Sequence, residues 1–192
     1  EDFRKENGDL LPYNIKEAQA NWTKAKEELG KDKIELELIS ADSAIAKKTI
    51  EFVQGQLQQN LPGLTIKLKS LPLQNRLDLQ TAGNYDLAFG TWTPDYADPI
   101  NFLEFYDSKS GLNTSGYNDS AYDAGLQKVR KDYANEPEKR WNELLSLEKT
   151  LIEKDAGVLP LFQGAIGYLK SDRLQGLQVF SFGRTVDRKS VV

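Results

Sequence analysis

The sequence contains no cysteine, no histidine and no methionine. The first two absences together remove thiol nucleophiles, disulfides, Cys/His zinc sites and imidazole acid–base catalysis. Cytosolic proteins can lack cysteine as well, so the absence assigns no compartment. With no methionine there is no initiator, and the first residue is Glu1. The expectation is a processed or excised piece, with any signal peptide or lipid-anchor cysteine lying outside it. No apolar run approaches the roughly 20 residues that a membrane-crossing helix requires. Net charge is −4 with both signs dispersed, so no Lys/Arg stripe is available to neutralise a run of phosphates, and nucleic acid is not an expected partner. The carboxylates are scattered and form no calcium-loop pattern, so neither a metal nor a cofactor is expected. Internal repeats and low-complexity tracts are missing too.

What is present is ordinary for a soluble-type core: 192 residues, 39% hydrophobic and 28% charged. That suits one α/β domain, or one domain with a tail. Residues 1–13 are polar, with Gly8 and Pro12, and read as an extended lead-in. Asn14 and Glu17 have the spacing of a capping box. Ile15, Ala18, Trp22, Ala25 and Leu29 follow at helical spacing, and Gly30 stops the helix. Ile34, Leu36 and Leu38 alternate with charged residues as a strand with one wet face. Asp42 or Ser43 caps a second helix, whose apolar line reads Ile45, Thr49, Phe52/Val53 and Leu57. Leu64, Ile66 and Leu68 repeat the strand pattern, and Pro72 opens a short helix to about Ala82. Strands separated by crossover helices predict a mainly parallel sheet flanked by helices.

The stretch Tyr85–Pro99, YDLAFGTWTPDYADP, is the focus of the chain. An apolar strand through Leu87, Ala88 and Phe89 breaks at Gly90 into a loop holding Trp92, Asp95, Tyr96 and Asp98, and Pro99 then opens a short helix. An aromatic and acidic loop beyond a strand's carboxyl end is where an α/β sheet takes its ligand, so this reads as half of a binding cleft. Residues 107–118 form a turn-rich loop. Two amphipathic helices follow, at about 119–133 and 136–155, the second with Asn135 as cap, Pro137 in its first turn and Trp141 on its apolar side. Short β segments are expected in GVLPLFQ, AIGYLKS and LQVFSFG, and the last dozen residues read as a strand without a partner.

Four segments, in order, carry a resemblance: YNIKEAQANWTKAKEELG; YDLAFGTWTPDYADPINFL; Asn113 with YNDSAYDAGLQKV; and EKTLIEKDAGVLPLFQGAIGYLKSDRLQGL. Over residues 12–180 the chain resembles the C-terminal lobe of the extracytoplasmic oligopeptide-binding proteins of ABC importers. The resemblance implies a type II periplasmic-binding-protein lobe, with residues 14–182 as the ligand-binding lobe and 183–192 as a return segment toward an N-terminal lobe that is not in this chain. It further implies an oligopeptide ligand, a membrane permease as partner, and an extracytoplasmic location, either as a cell-surface lipoprotein or in the periplasm.

In the peptide-binding members, an acidic residue three positions after the tryptophan receives the peptide's α-ammonium group. Here that residue is Asp95. A closed cleft strips water from an ammonium ion, which then needs a fixed carboxylate. Trp92 reads either as the wall of a side-chain pocket or as a core tryptophan closing the sheet. Tyr96 reads either way, as do Asn113 and Tyr117 in the loop that the family uses near its cleft. Asp98 reads as the cap of the helix at Pro99, and Trp22 and Trp141 as core. Some enterobacterial members carry arginines for a peptide's carboxylate, where this sequence has Gln80 and Phe89. That departure fits a longer peptide whose tail leaves the cleft, or a solute that is not a peptide, such as a sugar or a metal chelate.

Two other readings stand beside import. A receptor lobe for a peptide pheromone or other solute would use the same cleft. A glycosidase could be imagined from Asp95 and Asp98, but two carboxylates on one loop seldom flank a substrate from opposite sides. No enzyme is therefore expected.

Overall fold

The alternation of apolar and charged residues in IELELISA and LTIKLKSL produces the two long strands, β1 (Ile34–Ala41) and β2 (Leu64–Leu71). They pair in parallel over their whole length, from Ile34 opposite Leu64 to Ala41 opposite Leu71. A short third strand, β3 (Leu87–Ala88), joins β1 on its other edge, also parallel, giving the order β2-β1-β3. The computed structural model describes residues 2–165, 167–169 and 171, and the backbone of 178–179 and 186–187. The described chain divides into two compact units: Leu11–Thr91 with Thr114–Gly116, and Glu1–Leu10 with Trp92–Asn113 and Tyr117–Val192.

The first of these, the sheet unit, also holds α2 (Ile15–Leu29), α3 (Ala44–Asn60) and α4 (Leu73–Thr81). The capping box is present: Asn14 accepts the Glu17 amide N–H and donates to the Glu17 carboxylate. Ser43, one of the two expected caps, accepts from Ala46 at the start of α3. The apolar line of α3 differs from expectation. Ala46 and Ile50 are buried, with Val53 and Leu57 packed on the same core, whereas Ile45 and Phe52 are 73% and 68% exposed. Both lines obey helical spacing, and the sheet takes the one that sets Ile50 against Leu38, Leu64 and Ile66. Trp22 packs on this core and donates its indole N–H to the Pro62 carbonyl at 2.9 Å. Ile39, on the opposite pleat from Leu38, is fully buried too, so both faces of β1 are covered at this level. Gly63 turns the chain into β2 at φ +89, where a Cβ would stand 2.3 Å from the Asp32 carbonyl oxygen. Only glycine fits there.

The second, helical unit is built from α5 (Ile100–Leu103), α6 (Ser120–Gln127) and α7 (Pro137–Lys149), the last two each running on into a wider π-type turn. Its core joins Ile100, Leu103, Tyr122, Leu126, Val129, Leu144, Leu147 and Leu151. The lead-in is not extended throughout: Phe3–Asn7 form a helical turn, α1, whose first turn Asp2 caps. It docks on α7, with Phe3 edge-on to Trp141 at 5.1 Å and the Asn7 amide donating to the Leu145 carbonyl at 3.0 Å. Trp141 is half-buried beneath that turn, with its indole N–H on Glu6. Glu136, not Asn135, occupies the N-cap of α7; no side chain caps it, and Pro137 takes the first helical position, where its missing N–H costs no helical bond.

The expected strand in GVLPLFQ does not form; residues 157–163 hold no regular element. Val186–Asp187 (β5), expected without a partner, pair antiparallel with Gln178–Val179 (β4). The rest of LQVFSFG, most of the segment 183–192 and part of AIGYLKS lie outside the described residues. Among the described residues, no helix is long and apolar enough to cross a membrane.

Candidate functional site

One buried amide organises the loop that follows β3 in sequence. Asn101, in the first turn of α5, is 5% exposed. Its Oδ1 accepts the Trp92 indole N–H at 3.1 Å and the Asp95 backbone N–H at 3.3 Å. A single acceptor thus holds both residues. The Trp92 ring also meets Phe105 edge-on at 5.2 Å, which leaves the rest of its surface open. At the far end of the loop, Asp98 accepts the Ile100 N–H at 3.0 Å and pairs with Arg140 of α7 at 2.9 Å. It does the work expected of a helix cap, and it also ties the loop to α7.

Asp95 is exposed, and among the described residues nothing donates to its carboxylate and no cation pairs with it. Its neighbours in the helical unit differ. Asp98 has Arg140, Asp107 has Arg130, Asp119 caps α6, Asp123 accepts from Ser108 and Asp155 accepts from Tyr117. Unlike those five, the acidic residue three positions beyond the tryptophan is left uncommitted, as are the exposed Asp132 and Glu138 elsewhere in the unit.

Tyr96 is half-exposed and its hydroxyl donates to Glu104 Oε1 at 2.8 Å. Partial burial, with the Glu104 carboxylate beside it, pushes the phenol above its ordinary pKa, so it stays a donor. Glu104 in turn pairs with Arg130, which bonds Asp107 at 2.8 Å. Burial opposes the charge on Asp107, but the bond from Arg130 and the Lys109 amide outweigh it and hold this carboxyl below the usual range. Glu104, Asp107, Lys109 and Arg130 line a depression of about 290 Å³ with Asn101 and Phe105.

Asn113 and Tyr117 are brought together, and their polar groups are engaged within the unit. The Asn113 amide donates to the carbonyls of Tyr106, Asp107 and Tyr117, the last at 2.8 Å. The Tyr117 hydroxyl donates to Asp155 at 2.7 Å, and burial and that carboxylate raise its pKa. A row of edge-on and tilted ring contacts runs from Trp92 through Phe105, Tyr106 and Tyr117 to the buried Tyr122. The turn-rich loop is therefore braced on the same aromatic row as Trp92.

Sequence reasoning passed over Asn101, Glu104 and Arg130. The available signal was Asn101 itself, a lone amide inside the apolar run INFL, which cannot be buried without partners. Among the described residues, no three acidic side chains gather as a metal ion would need.

The family model of the bacterial extracellular solute-binding proteins, family 5 middle region, matches residues 1–114. A dipeptide-binding protein of Lactococcus lactis subsp. cremoris is 32% identical over 192 residues, which cover 99% of this chain and 35% of that protein. The substrate-binding domain of an oligopeptide ABC transporter from Bacillus anthracis superposes with a TM-score of 0.91 at 33% identity, over 99% of this chain and 37% of its own. Listeria monocytogenes OppA, solved bound to peptide, gives a TM-score of 0.87 at 38% identity, over 100% of this chain and 36% of its own. The chain thus spans little more than a third of the length of each of these proteins.

Proposed function

This chain belongs to the bacterial extracellular solute-binding proteins of family 5, and from that membership we propose that it is one lobe of an oligopeptide-binding protein serving an ABC importer. It has the type II periplasmic-binding-protein fold. The other lobe comes from the rest of the polypeptide. The protein works outside the cytoplasm, either lipid-anchored at the cell surface or in the periplasm.

The observation that supports this reading is the uncommitted carboxylate of Asp95, held in place through its own backbone N–H. A peptide's α-ammonium group, dehydrated as two lobes close, requires such a fixed anion. Trp92 presents a flat apolar face beside it, anchored at its N–H and along one edge. Tyr96 stands in the same loop, while Asn113 and Tyr117 brace the turn-rich loop that follows. Closure of the lobes on the peptide then creates the form that docks on the permease.

Calorimetry on a full-length polypeptide containing this chain tests the reading with matched peptides, free or acetylated at the amino terminus. Asp95→Asn is expected to weaken the free peptide by about 2–5 kcal/mol and to leave the acetylated one unchanged. Heat from a sugar or a metal chelate, with none from any peptide, overturns the assignment.

A further inference from the structure

The sequence holds one Asn-Gly step, Asn7–Gly8, and it lies where α1 docks on α7. The glycine is required by the turn: Gly8 ends α1 at φ +71 and ψ −159, a region that other residues scarcely enter. Asn7 is half-buried, and its side-chain nitrogen is engaged twice on α7. Nδ2 donates to the Leu145 carbonyl at 3.0 Å and to Glu148 Oε2 at 2.5 Å.

An asparagine followed by glycine is open to attack by its own backbone, because no side chain on the next residue crowds the approach. The Gly8 nitrogen gives up its proton and bonds to the Asn7 Cγ. The bond from Cγ to Nδ2 breaks, ammonia leaves with that proton, and a succinimide ring remains. Water then opens the ring to aspartate or isoaspartate. One water enters, one ammonia departs, and nothing is oxidised or reduced.

Docking holds both reacting groups apart. The Gly8 N–H is turned to the Arg4 carbonyl at 3.1 Å, and the Asn7 side chain is fixed by its two acceptors on α7. Ring closure needs both released. A five-residue helix has little stability of its own, so α1 depends on Phe3 against Trp141, Glu6 at the Trp141 indole N–H, and Asn7 itself. Such a segment opens at far less cost than the whole fold.

The product does not fit the seat that Asn7 leaves. Asn7 brings N–H donors to the Leu145 carbonyl and the Glu148 carboxylate. An aspartate brings no donor, and it sets a second negative charge beside Glu148 in a half-buried position, which is unfavourable. We propose that Asn7 is a deamidation site gated by the docking of α1. The reaction runs from the undocked turn, and its product keeps the turn from returning, so the conversion is a one-way release of α1 from α7.

The test uses a full-length polypeptide containing this chain, incubated in mildly alkaline buffer and digested. Mass spectrometry follows the peptide carrying Asn7 for a gain of one mass unit and for isoaspartate. F3A, which loosens the turn without touching Asn7 or Gly8, is expected to speed the gain roughly tenfold. N7D, the aspartate product made directly, is expected to lose amide-exchange protection over residues 5–8 while α6 keeps its own. Adding E148Q to N7D is expected to restore part of that protection, because a glutamine amide donates to the new carboxylate. Equal rates in F3A and the unaltered protein, or no conversion in either, overturn the gate. Protection over residues 5–8 that is unchanged in N7D, or not raised by adding E148Q, overturns the release.

Discussion

Replacing Asn101 by alanine removes the one oxygen that receives both the Trp92 indole N–H and the Asp95 amide N–H. Both donors belong to residues that reach solvent, so water can take over part of the bonding. The expected loss of stability is therefore about 1–2 kcal/mol, the range for an ordinary buried acceptor. Peptide affinity should fall although the Asp95 carboxylate is untouched, because the loop that aims it is released. Thermal melts and calorimetry on the same variant check both halves. At this scale the sequence was informative about groups whose work is local. Asp98 as a cap and the Asn14–Glu17 pair follow from spacing along one helix end. Asn101 was not legible, because its partners lie six and nine residues back along an irregular loop that no periodicity describes. Tyr117 and Asp155, 38 residues apart, escaped for the same reason.

Among the elements, α3 shows how periodicity can leave two answers open. The line through Ile45 and Phe52 and the line through Ala46, Ile50, Val53 and Leu57 lie about 100° apart around the helix, which is the rotation of one residue. Hydrophobicity along α3 alone does not choose between them; the sheet does, by burying Ile50 to 1% exposure. Ile50→Ala should cost about 2–5 kcal/mol, whereas Phe52→Ala should stay within roughly 0.5 kcal/mol, by urea denaturation. A large loss at Phe52 would mean that α3 is turned the other way. The strands β1 and β2 were legible because each carries its own alternation and a crossover helix forces them parallel. Helix α1 was not: five residues have too few turns to show a period, and its formation depends on Trp141 and Leu145, far along the chain.

For the whole molecule, the two hydrophobic clusters share no residue. Leu144, fully buried among the helices, should therefore report on its own unit. Leu144→Ala is expected to speed amide exchange in α6 and α7 while Ile39 and Ile66 in the sheet keep their protection, as hydrogen exchange followed by mass spectrometry can show. Uniform loss of protection in both units would mean that they unfold as one. The resemblance over residues 12–180 gave the family and its fold; the division into two units was beyond it, since a boundary between cores appears only when long-range contacts are known.

That division also sets an order of events during synthesis. The sheet unit is nearly continuous, running from Leu11 to Thr91 with only Thr114–Gly116 added later. The helical unit needs α1 to meet α7 across 138 residues. A nascent chain leaving the ribosome can therefore complete the parallel strands early, while its first turn waits, undocked, for a helix not yet translated.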